Sequence, residues 1–185
     1  MSKNNSIPRR KTMPALKAAL IFGGMCALWP AAFADDLSAV DSDFFAKAAD
    51  AGATEISASK AADKRSSSAA VKSFAASMIA DHTKVASKLK QLAHKKNVQL
   101  SEQPSRPHQA EIDKLNTLKG KEFDSEYVNQ IGVSAHQEAV ALFRGIADNA
   151  KDADVRAFAA HTLPSLEHHL KMAEALKTSL DKAPQ

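Results

Sequence analysis

The chain has 185 residues, with 25 Lys and Arg against 21 Asp and Glu, one Cys and one Trp. Its formal charge of +4 is concentrated at the start: residues 1–34 hold five basic residues and no acidic one, which leaves 20 against 21, or −1, for the rest. The overall basic balance is therefore no evidence for a nucleic-acid partner, which would want a clustered basic face, and none is expected. Disulfide and thiol chemistry are excluded, because Cys26 lies in the leading segment, as does Trp29.

Residues 1–34 read as a secretory signal peptide. Lys3, Arg9, Arg10 and Lys11 form a basic region, Ala18 to Leu28 an apolar run, and Ala32-Phe33-Ala34 a cleavage site before Asp35. The apolar run is shorter than the roughly 20 residues that a membrane span needs. Met25 ahead of Cys26 does not fit a lipoprotein signal. The expected product is residues 35–185, a single domain exported to the periplasm or the medium, with no transmembrane segment after cleavage. Its Ala-rich, Gly-poor composition favours helix throughout.

Four long helices follow from apolar periodicity. The first is expected over about residues 42–63, capped by Asp41, with Phe45, Ala49, Gly52 and Ile56 along its stripe. A short polar turn leads to the second, about 69–96, striped by Val71, Phe74, Met78, Val85, Leu89 and Leu92. Residues 98–121 break the pattern, with Pro104 and Pro107 in an extended crossover and a short helix over about 109–118. The third helix spans about 122–150. The fourth spans about 153–180, capped by Asp152, with Pro164 inside it as a source of a kink. Val71-Lys72-Ser73-Phe74-Ala75-Ala76 is echoed by Val155-Arg156-Ala157-Phe158-Ala159-Ala160 at the start of the second and fourth helices. Two hairpins joined by one long crossover make an all-α, ferritin-like four-helix bundle.

On helical wheels His82 and His169 fall inside their stripes, and His136 falls at the edge of its own. Glu55 borders the stripe of the first helix and Asp81 adjoins His82. Imidazoles with carboxylates suit Zn, Cu or Fe, so His82, His136, His169, Glu55 and Asp81 are the candidate metal ligands. A polar group at a core edge also serves by pairing with another, since burying it alone costs a few kcal/mol. Structural pairing is preferred over a bound metal on sequence grounds. His94, His108, His161 and His168 fall on outward or crossover positions and are expected to be solvated.

A di-iron carboxylate centre would need Glu-x-x-His on two helices, because ligands three apart share a face. That motif occurs nowhere in the chain. A phosphate loop, a nucleophile elbow and His-Glu-x-x-His are missing as well.

Several stretches carry a resemblance: Asp43-Phe44-Phe45 through Glu55-Ile56, then Val71-Lys72-Ser73-Phe74-Ala75 through Asp81-His82-Thr83. Phe123-Asp124-Ser125-Glu126-Tyr127-Val128, His136 and Leu163-Pro164-Ser165-Leu166-Glu167-His168-His169-Leu170 complete it. In these the chain resembles the bacterial exported domain of unknown function 4142 family, often labelled predicted outer membrane protein. The resemblance implies an exported helical domain with a ferritin-like fold and no established reaction. It also sets Asp81-His82, His136 and His169 at the family's motif positions. The outer-membrane label finds no alternating-strand barrel pattern and no lipid-attachment cysteine in residues 35–185.

The reading taken is a non-catalytic envelope or stress-related role, with the cofactor open between none, which is preferred, and a transition metal (Zn, Cu or Fe). One alternative is a metal-binding or metal-dependent redox protein that uses the core histidines. The other is a helical interaction module for a partner protein of the envelope.

Overall fold

The computed structural model describes residues 37–182; the expected signal peptide, residues 1–34, lies outside them. Helix α1 (Ala39–Arg65) starts at Ser38, whose Oγ accepts the Asp41 N–H at 3.1 Å. Ser38 thus takes the capping role expected of Asp41, one turn earlier and with equivalent chemistry. Asp41 is buried instead, and its Oδ2 accepts the Asp152 N–H at 3.0 Å, tying the start of α1 to the turn before the last helix.

Helix α2 (Ala69–Lys95) begins at Ser68, whose Oγ accepts the Val71 N–H. The short turn between α1 and α2 makes them antiparallel neighbours. Asn97, at φ 57°, ends α2 in a Schellman turn: Val98 N–H donates to Ala93 O at 2.8 Å and Asn97 N–H to His94 O at 3.2 Å.

The crossover contains α3 (Arg106–Leu115), a few residues earlier than expected because Pro107 fits the first turn of a helix. Asp50 on α1 anchors it, accepting the Ser105 N–H at 2.7 Å and lying 3.0 Å from His108 Nδ1. His108 is accordingly partly buried against a carboxylate, in contrast to the solvated position expected.

The third long helix has three parts: α4 (Gly120–Tyr127), a π-helical segment (Val128–Ser134) and α5 (Ala135–Asn149). Within it the Ala135 N–H reaches back five residues to Gln130 O. Such a wide turn rotates everything after it relative to a regular helix. Gly132 lies in this segment because α6 passes close by: a Cβ there would sit 2.9 Å from Ala173 Cβ and 3.4 Å from Phe74 Cε1. Helix α6 (Ala153–Lys182) is capped by Asp152 Oδ1, which accepts the Asp154 and Val155 N–H groups, and it stays helical on both sides of Pro164.

The result is the expected ferritin-like arrangement, with α1 packed on α2, α5 on α6, and one long crossover between the hairpins. No strand occurs among the described residues. The core divides into two apolar clusters. One is built on Phe44, Phe45, Leu89, Phe143 and Val155, with Phe44 edge-on to Phe143 at 5.1 Å. The other is built on Phe74, Met78, Phe123, Tyr127 and Val128. Along each long helix a polar residue falls between its two apolar contributions: Glu55 between Ala48 and Ala58, and His82 between Met78 and Leu89. His136 likewise falls between Ile131 and Ala139, and His169 between Leu166 and Ala173. The four form one polar layer across the bundle.

Candidate metal centre

All four members of this layer are almost fully buried. The three imidazoles form a triangle, with ring centres 5.4 Å apart for His82 and His136, 5.2 Å for His82 and His169, and 5.6 Å for His136 and His169. One nitrogen from each ring lies within 4.8 Å of those from the other two.

Each ring is held by its other nitrogen. Glu55 Oε2 lies 2.9 Å from His82 Nδ1. The Ile131 carbonyl lies 2.9 Å from His136 Nδ1 and, being an acceptor only, requires the proton to be there. This is a bond from residue i to i−5, made inside the wide turn. Asp81 Oδ2 lies 3.3 Å from His169 Nε2, and Asp81 is itself held by Lys84 Nζ at 3.1 Å. The nitrogens left over, His82 Nε2, His136 Nε2 and His169 Nδ1, are buried without a hydrogen-bond partner, as is Glu55 Oε1.

The charges of the layer are unequal. Burial disfavours an ionised Glu55, yet the neighbouring His82 charge and hydrogen bond outweigh it and hold the carboxyl below its usual range. Burial likewise works against a charged His82, but Glu55 prevails and raises its pKa. For His136 burial dominates; the attraction of Glu55 does not compensate and the pKa is lowered. His169 is lowered to about 4 by burial and by the two neighbouring imidazoles, against the pull of Asp81. Glu55 thus favours the protonation of His82, while burial disfavours that of His136 and His169.

Tyr127 completes the surroundings, its hydroxyl 2.8 Å from Ser59 Oγ one turn beyond Glu55, with a pKa pushed well up by burial. Outside Glu55 a polar groove of about 640 Å3 opens between α1, α3 and the third long helix. Glu111, Glu126 and Glu138 line it with Lys47 and Lys114, and Glu55 forms part of its wall.

This geometry fits a metal ion. Neutral imidazoles are ligands for Zn, Cu and Fe. Metal-bound histidines characteristically donate their second ring N–H to a carboxylate or a backbone carbonyl, and all three rings are so placed. Nitrogens sharing one ion at bonds near 2.0–2.1 Å must close somewhat from the distances seen here, by small rotations of the rings. Of the five residues singled out in the sequence, the three histidines converge, while Glu55 and Asp81 stand behind them and orient them. The Ile131 carbonyl escapes sequence reading, since it follows from a backbone irregularity with no side-chain signature.

An all-α bundle of two hairpins crossed by a buried three-histidine layer is the class of protein that fold and geometry define. Residues 27–176 match the Domain of unknown function (DUF4142) family, and the chain belongs to it. The fold is similar to that of a crystal structure of a DUF305 fragment from Deinococcus radiodurans, with a TM-score of 0.68 and 16% identity. That match covers 77% of this chain and 98% of the other. No curated protein matches the chain.

Proposed function

We propose that this is an exported metal-binding bundle in which His82, His136 and His169 hold a single divalent transition-metal ion. The observation that supports the reading is a triangle of three buried imidazoles with one nitrogen of each within 4.8 Å of the others, each ring held at one nitrogen and unpartnered at its second. Structural pairing alone satisfies only one nitrogen per ring. It leaves three polar atoms buried at a cost of about 1–3 kcal/mol each, which coordination would offset.

Three nitrogen donors favour Zn2+ or Cu2+. An iron site of the two-histidine, one-carboxylate kind needs a carboxylate on the metal, whereas one oxygen of Glu55 pairs with His82 and the other is left unpartnered. Three protein ligands leave a further position for water or an exogenous donor. The acidic side chains of the groove beside Glu55 raise the local cation concentration on the way to the layer. The leading 34 residues support export, and a mass measurement of the processed protein checks it through cleavage before Asp35. Metal analysis of the processed, untagged protein purified without chelator tests the site. Near-stoichiometric Zn or Cu, lost in His82→Ala, is expected.

The interaction-module alternative gains no apolar docking face: Val40 is the one large hydrophobic side chain exposed among the described residues.

A further inference from the structure

A second cavity touches the histidine layer from the other side of the α1–α2 hairpin. Its volume is about 470 Å3. It is hollow because four of the five α1 residues that line it, Ala48, Ala49, Gly52 and Ala53, do not reach beyond Cβ; the fifth is Ile56. A Cβ added at Gly52 would meet nothing within 4 Å. Helix α2 supplies Val85, Leu89 and Ala93 opposite. The left-handed Asn97 turns the chain so that Val98 and Leu100 fold back over the same space.

The cavity follows the groove between α1 and α2. Its α2 lining runs from His82 to His94, about 18 Å at the helical rise. Its volume lies in the range of small-molecule sites. His82, almost fully buried and with its Nε2 unpartnered, is part of the lining. The exposed polar residues Ser87, Lys90, His94, Ser101 and Glu102 form the mouth. Lys90 and Glu102 pair across this mouth, and both are about 70% exposed (71% and 69%). A pair so exposed contributes little and opens readily.

We propose that this cavity binds one free fatty carboxylate. Its unbranched chain lies along the α1–α2 groove towards His82, and its head group takes the place of Glu102 beside Lys90 and His94. Each methylene buried is worth about 0.8 kcal/mol, so affinity rises about fourfold per carbon. The negative charge of Glu102 competes with the ligand for Lys90. The inference goes beyond the metal reading and does not depend on it, since no part of the ligand has to reach the ion.

The test is calorimetric titration of the processed, metal-free protein with octanoate, decanoate and dodecanoate below their micellar concentrations. Affinity is expected to rise about 16-fold for each pair of methylenes. Glu102→Gln is expected to tighten decanoate several-fold and Lys90→Gln to weaken it. Gly52→Leu fills the cavity and is expected to weaken decanoate at least 20-fold with the unfolding midpoint kept or raised; Ala53→Val gives a milder version should Gly52→Leu fold poorly. Binding independent of chain length, acetate competing on equal terms, or full decanoate affinity in the folded Gly52→Leu protein would each overturn the proposal. So would binding to phosphatidylglycerol vesicles with none to the free acids, which would point to a membrane surface.

Discussion

Glu55 Oε2 lies 2.9 Å from His82 Nδ1, both side chains fully buried, at the one level where α1 and α2 carry no apolar residue into the core. The pair links the two helices of the hairpin and leaves His82 Nε2 without a partner. Glu55→Gln keeps a hydrogen-bond acceptor and removes the charge. Metal affinity is expected to fall about 10–100-fold, the usual effect of losing a partner behind a ligand. Competition titration against a chromophoric chelator measures it.

Gly132 fits between Phe74 and Ala173 with no room for a methyl group. The obstructing atom is a rigid Cβ on α6, so Gly132→Ala has to push α6 away from the π-helical segment. The expected destabilisation is about 1–3 kcal/mol, seen as a lower urea midpoint at unchanged slope. Because His136 and His169 are positioned by these two elements, weaker metal binding should accompany it.

Without metal, stability should decline on acidification between pH 6.5 and 4. His169 and His136 take up protons less readily folded than unfolded, so in this window the unfolded chain binds more protons and is favoured as pH falls. His169 alone, lowered to about 4, accounts for about 3 kcal/mol at most. His82 has the opposite sign: raised in the fold, its contribution is present below pH 6.5 and lost as pH rises through its folded pKa. The shift of His169, to about 4, sets the net direction. Urea denaturation of chelator-treated protein at pH 7.0, 5.5 and 4.5 should give successively lower midpoints.

Glu126 and Glu138 line the groove leading to Glu55 without touching the imidazoles. The double change to Gln is expected to slow metal uptake several-fold while leaving the release rate near its original value. The difference should shrink as salt is raised, because exposed charges are screened beyond about a Debye length. Stopped-flow uptake at two ionic strengths reads both effects.

The sequence displays the helices and their stripes because a 3.6-residue repeat leaves a periodic trace. It displays His82 and His169 because each interrupts such a stripe. His136 is harder to place: at 100° per residue it falls on the edge of its stripe, and the wide turn over 128–134 brings it fully inside. Nothing in Val128-Asn129-Gln130-Ile131-Gly132-Val133-Ser134 announces that turn; Gly132 alone hints at close contact. The cap of α1 slips to Ser38 since two capping residues stand three apart, and a tertiary contact to Asp152 decides between them. That Glu55 and Asp81 stand behind the imidazoles depends on the approach of separate helices, which local periodicity does not encode.

The most direct test is the metal content of the processed, untagged protein isolated without chelator, followed by thermal unfolding of the stripped protein with and without added Zn2+ or Cu2+. One ion per chain and a clear rise in Tm on reloading, both lost in His82→Ala, are the expected results. Protein that is metal-free as isolated, with a Tm unmoved by either ion, would contradict the proposed three-histidine site.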